Sequence, residues 1–163
     1  MKLEDSTRRF IHILEKIPMF QRLTPSQALE ILKICTPRSF SSKELVVQHG
    51  SKSTEMLILL SGRLAVTAPD RTVLTYLTPI TSVGEMGVIT GQPRSANVVV
   101  AEQASAFVLS RIKFEVLIKK FPDIGFVIYR NIIQTLSTRL GSTNDQLADC
   151  QREISELRST VAG

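Results

Sequence analysis

The sequence predicts a mainly β fold with flanking helices, its centre an antiparallel barrel or jelly roll. Three observations carry this. Over residues 38–109 the apolar residues fall in short runs broken repeatedly by glycine, proline, serine and aspartate. On both sides of that region the apolar period changes to the helical one. The 163-residue length, with 43% hydrophobic and 21% charged residues, fits one ordinary globular unit with an extension.

The elements follow in order. Phe10, Ile13, Leu14 and Ile17 recur at helical spacing, and Pro18 ends that short amphipathic helix. Thr24-Pro25-Ser26-Gln27 reads as an N-cap, a proline at the first helical position and a glutamine closing a capping box. The helix it opens runs to about Cys35, before Pro37. Strands are expected at 44–48, 56–60, 63–67, 73–77, 97–100 and 105–109, with turns at Gly50-Ser51, Ser61-Gly62, Pro69-Asp70 and Gly91-Gln92-Pro93. Closure of such strands into a barrel hides their edges. Helical period returns at 111–121 and again from Pro122, which divides the chain into a β-roll unit with N-terminal helices, 1–121, and a long helix, 122–163.

That last helix carries a sustained heptad. Phe126, Ile133, Leu140, Leu147, Ile154 and Val161 occupy one core position, and Tyr129, Leu136, Thr143, Cys150 and Leu157 the other. A helix of about 40 residues is about 60 Å long, more than a small barrel can cover. Its first part is therefore expected to pack on the barrel as far as about Leu136, and the remainder to pair with a second copy in a parallel coiled coil, a homodimer through residues 126–161. Glu153 and Arg158 stand at the flanking positions where an acid of one chain meets a base of the other. Gly141 inside the helix costs about 1 kcal/mol relative to alanine and is either tolerated or a bend.

Composition narrows the function. The net charge is +5, but it is spread as 16 Lys and Arg against 10 Asp and Glu in 1–121 and 4 against 5 in 122–163. With no basic run, direct nucleic-acid binding is not expected. No stretch of about 18 apolar residues suggests a membrane span, and the opening MKLEDSTRRF is charged, so no membrane association is expected and the location inferred is cytoplasmic. Cys35 and Cys150 lie far apart without a CxxC partner, and buried thiols rather than a zinc site or disulfide are expected.

The segment 83–100, VGEMGVITGQPRSANVVV, carries the chemistry. Its glycines let backbone approach a ligand closely. A helical turn after Gly84-Glu85 would offer unpaired N–H groups to an anion, and Arg94 adds a permanently charged donor fork suited to phosphate oxygens. Glu85 would repel a phosphate, but a carboxylate only accepts hydrogen bonds, so a ribose 2′-OH is its natural partner.

GEMGVITGQPRSANV resembles the phosphate-binding cassette of the cyclic-nucleotide-binding domains, the family of the bacterial catabolite activator protein and the protein kinase A regulatory subunits. The usual form is G-E-[LM]-x-L, a short gap, then x-P-R-[ASTG]-A-x-V. The resemblance extends over about 17–140, including IPMFQRLTPSQ, the Gly50 turn, LILLSGRL and the FPDI opening of the long helix. It implies an eight-stranded β-roll, with Gly84 and Glu85 at the ribose, Met86 beside them among the ligand-binding residues, Arg94 at the exocyclic phosphate oxygens, and Ser95 and Ala96 adding hydroxyl or backbone contacts. For the base it implies a residue of the long helix. Thr143-Asn144 fits if the preceding Arg-Leu is aligned, whereas counting from FPD gives Arg139 and Leu140. The implied ligand is cAMP, or cGMP, since serine at 95 suits both. Two departures concern loops: Pro79-Ile80-Thr81 replaces a common Pro-Gly-Asp, and Ser53-Thr54 a Gly-Asp pair.

The rival readings are weaker. A metal-dependent cupin needs clustered ligands, and only His12 and His49 are present, in separate elements. No Ser-His-Asp set, paired-carboxylate site or P-loop lysine suggests an enzyme. A transcription factor of the activator class would need a recognition helix beyond the coiled coil, which this sequence does not contain, so a stand-alone receptor or the sensor fragment of a longer protein is expected. A coiled-coil interaction module with a vestigial pocket is the remaining alternative.

Overall fold

The structure, a computed structural model, describes residues 2–52 and 54–161, and the side chains of 7–52 and 54–157. Ser53 and the side chains of Arg158 and Val161 therefore lie outside the described residues. Helix α1 (Lys2–Lys16) leads through a 3-10 turn (Pro18–Phe20) to α2 (Pro25–Ile34). Six strands follow, β1 (Cys35–Phe40), β2 (Leu45–Val47), β3 (Glu55–Thr67), β4 (Val73–Leu77), β5 (Thr81–Val83) and β6 (Asn97–Ser110), with α3 (Glu85–Thr90) between the last two. Helices α4 (Arg111–Lys120) and α5 (Pro122–Val161) complete the chain.

The sheet is antiparallel, ordered β1-β6-β3-β4, with β2 on β6 and β5 on β3. Among the described residues the expected eight strands are six. Two pairs of expected strands fuse, 56–60 with 63–67 into β3 and 97–100 with 105–109 into β6, while β1 and β5 are additional. Ser61-Gly62 is thus a bulge inside β3 and not a turn, its register against β6 shifting between Leu59 and Leu64. Gly62 has φ +83°, and a Cβ there would stand 2.6 Å from Ala104 Cα, so the close approach of β3 to β6 requires glycine.

Alternation along β3 divides the core. Met56 and Ile58 join a cluster with Leu14, Phe20, Ile31, Phe114 and Ile128 beneath the helices. Leu57 and Leu59 point the other way, into the roll interior with Phe40, Leu64, Val98 and Val100. The capping box of α2 forms as expected, Gln27 N–H donating to Thr24 Oγ1 (3.3 Å) and Thr24 N–H to Gln27 Oε1 (2.9 Å). Gln27 also donates to Asp123 Oδ2 (2.6 Å), tying α2 to the start of α5.

Helix α5 is continuous for 40 residues, Gly141 included. Its packing corrects the expectation that the heptad residues near its start contact the barrel. Ile124, Ile128 and Ile132 are buried there instead, while Phe126 is 68% and Ile133 64% exposed. The thiol expectation is also corrected, since Cys35 is half-buried and Cys150 exposed.

Candidate functional site

Two left-handed glycines frame α3. Gly84, at φ +85°, caps its start, and Gly91, at φ +73°, caps its end by donating to Gly87 O (2.9 Å). Left-handed backbone favours glycine at both positions. At Gly84 there is a second reason, because a Cβ would fall inside the Arg94 guanidinium.

Arg94 is held by backbone. Its N–H donates to Ser51 O (3.0 Å) and its carbonyl accepts from Gly50 N–H (2.8 Å), lacing the segment before β6 to the Gly50 turn. Its side chain, half-buried, donates through Nη1 to Gly84 O (3.4 Å) and through Nη2 to Glu55 O. Burial pulls the guanidinium below its ordinary pKa, opposed by the carboxylates of Glu55 and then Glu85. Arginine remains charged under these conditions. The result is a fixed cation whose fork is oriented by carbonyls and not by an ion pair with Glu85.

Glu85, 19% exposed, instead faces Arg139 of α5, Nη1 to Oε1 3.9 Å. A cavity of about 790 Å³ runs between these groups, with Gly84, Glu85, Met86, Arg94, Ser95 and Arg139 among its walls. Ala96 lies next to this wall, partly exposed, at the entry to β6. Thr143 and Asn144 lie further along α5 among exposed residues and outside the cavity lining, and the Thr143 hydroxyl donates to Arg139 O (2.9 Å). Of the two registers open for the long helix, the one containing Arg139 reaches the cavity. Sequence reasoning missed the Glu55 carbonyl and the lacing to Ser51, for which backbone atoms leave no side-chain signature. Among the described residues no group of three or more His, Cys, Asp or Glu could hold a metal ion, and no helix is long and apolar enough to cross a membrane.

The arrangement offers two cations, Arg94 oriented by carbonyls and Arg139 beside Glu85, with one carboxylate and several hydroxyls around a space large enough for a small polar ligand. Comparison with known proteins agrees. The model of the cyclic nucleotide-binding domain matches residues 37–121, just over half the chain. A cyclic nucleotide-gated potassium channel of Rhizobium etli is 28% identical over 134 residues, 82% of this chain and 37% of that one, so the chain spans little more than a third of that relative. Among solved structures, the N-terminal domain of a transcriptional regulator from Streptomyces coelicolor superposes with a TM-score of 0.71 at 17% identity, covering 77% of this chain and 93% of that one. The regulatory domain of Toxoplasma gondii PKA with cAMP gives 0.66 at 18% identity, covering 70% and 45%. These two likenesses concern the fold; the match over residues 37–121 places the chain in the cyclic nucleotide-binding domain family.

Proposed function

We propose that this chain is a non-catalytic cytoplasmic receptor for a cyclic nucleotide, cAMP or cGMP. The observation that carries the reading is the half-buried Arg94 guanidinium, fixed by the carbonyls of Gly84 and Glu55 on the wall of the large cavity, with Glu85 opposite. Two carbonyls leave donors of the five-donor fork for the exocyclic phosphate oxygens. Ser95 adds a hydroxyl to that end, Gly84 and Ala96 allow close backbone approach, and Met86 forms apolar wall. Glu85 accepts from the ribose 2′-OH, and Arg139 covers the base in preference to Thr143 and Asn144.

The ribose hydroxyl and the Arg139 guanidinium, now 3.9 Å away, share the Glu85 carboxylate, so a bound nucleotide shifts the population toward a state in which Arg139 and α5 are repositioned over the cassette. The output passes along α5, whose exposed heptad face pairs with a second copy in parallel through residues 126–161.

Calorimetry of the full chain with cAMP and with cGMP tests this. Replacing Arg94 by alanine removes charge-assisted hydrogen bonds and is expected to weaken the preferred nucleotide roughly 10- to 100-fold. No binding of either nucleotide at millimolar concentration would leave the α5 seam as the working part of the molecule. Equal affinity in Arg94→Ala would remove Arg94 from the phosphate site.

A further inference from the structure

Behind the cassette opens a second cavity of about 330 Å³, walled by the end of α1, the 3-10 turn, Ile80, β5, the first turn of α3 and α5. Arg94 and Ser95 are not in its lining. It meets the larger cavity along Thr81, Ser82, Glu85, Met86 and Arg139, residues that line both spaces.

Its chemistry differs from that of the cassette. Met19, Ile80, Met86, Ile132 and Leu136 make apolar walls, and Lys16 and Arg139 bring two cations against the single carboxylate of Glu85. That carboxylate is already paired with Arg139, which leaves the lining with an excess of positive charge. Two methionines among the walls can adjust to ligands of different outline. The volume is at the small end of the range for organic ligands.

Two features stand beside the space. Ile80 keeps φ at +67°, a left-handed conformation that β-branched residues rarely adopt, and its N–H is fixed to Leu59 O (2.9 Å). Backbone strain of this kind gathers at ligand clamps and switch regions. On the opposite side, Asn131 of α5 donates to both Met19 O (3.2 Å) and Gln21 O (2.6 Å). These two hydrogen bonds tie α5 to the 3-10 turn and to the residue that follows it.

We infer that the smaller cavity is a second ligand site, adjoining the nucleotide pocket and sharing one wall with it, for an organic anion with a compact apolar body and one carboxylate or sulfonate directed to Lys16 and Arg139. The inference does not depend on nucleotide binding. Because the two cavities share Arg139 and Glu85, occupancy of either changes the affinity of the other by the same factor.

The test is a fluorescence titration of the full chain with 8-anilinonaphthalene-1-sulfonate, an apolar ring system bearing one sulfonate. Saturable binding at one site per chain is expected. Thr135→Trp, which fills the cavity from a position off the heptad seam, abolishes it, and Lys16→Glu weakens it roughly tenfold through charge reversal. Arg94→Ala in the larger cavity and Leu147→Ser on the distant α5 seam leave it unchanged. Circular dichroism establishes that each variant is folded. Should Thr135→Trp not fold, Lys16→Glu decides alone. The inference is overturned by the absence of saturable binding, by wild-type affinity in folded Thr135→Trp or in Lys16→Glu, or by loss of the probe in Arg94→Ala or Leu147→Ser.

Discussion

Helix α5 carries two apolar stripes that meet opposite fates. Ile124, Ile128 and Ile132, spaced by four, are buried against the body. Phe126, Ile133, Leu140, Leu147 and Ile154, spaced by seven, remain between 49% and 68% exposed. At about 100° per residue, Ile124 and Phe126 are about 200° apart, on opposite sides of the helix. A spacing of four rotates quickly around the axis and suits a contact a few turns long, whereas a spacing of seven drifts only about 20° per heptad and can follow a partner along the whole helix. The body takes the isoleucine stripe, and polar tethers accompany that contact, Asp123 to Gln27 and Asn131 to Met19 and Gln21. The difference teaches that apolar periodicity identifies a surface without naming what covers it.

The most forceful way to break this comparison is to shorten one residue in each stripe. Ile128 is fully buried beneath the helices, and Ile128→Ala is expected to lower the unfolding free energy by about 2–5 kcal/mol, lost transfer and residual cavity together. In urea titrations at protein concentrations too low for pairing, Leu147→Ala is expected to change it by less than about 0.5 kcal/mol. Equal losses in the two variants would mean that the exposed stripe is packed within a single chain.

Next in size is the effect on pairing. If the spaced-by-seven stripe is a parallel dimer seam, Leu147→Ala removes buried methyl groups from both chains and raises the dimer dissociation constant roughly 10- to 100-fold. Sedimentation equilibrium measures it. A wild-type chain that stays monomeric at hundreds of micromolar would separate the heptad from self-association altogether.

The same division between pattern and tether explains what the sequence disclosed. The gathering of Gly84, Glu85 and Arg94 around one cavity was legible because these are residue types that few other arrangements require together. Arg94's supports were not, since Gly84 O, Glu55 O and Ser51 O are backbone atoms common to every residue. Strand β1 was hidden by Pro37, which reads as a breaker. It sits on an edge paired only with β6, where a missing N–H deprives no second neighbour. The strand count failed at bulges, because a residue such as Gly62 is punctuation in a turn and in a bent strand alike. On α5 the helix and its length followed from the period, but the choice of the Ile124, Ile128 and Ile132 face depended on neighbours distant in sequence, as the Asn131 and Asp123 partners about a hundred positions away illustrate.

The smallest expected effect gives the sharpest reading of the seam, through the two thiols. Burial pushes the Cys35 thiol up to about 12, against the opposing charge of Lys113, so at pH 8 only about one in ten thousand Cys35 side chains is thiolate, the reactive form. Its alkylation is therefore slow, rises about tenfold per pH unit below 12, and reports the folded body without regard to pairing. Cys150 is exposed on α5 at a heptad core position, so a second copy in register would cover it. Iodoacetamide labelling followed by mass spectrometry is expected to show Cys150 reacting quickly in dilute protein and roughly three- to tenfold more slowly once pairs form, while the Cys35 rate stays constant. A Cys150 rate independent of concentration, in protein shown to be dimeric, would place the contact elsewhere than on this seam.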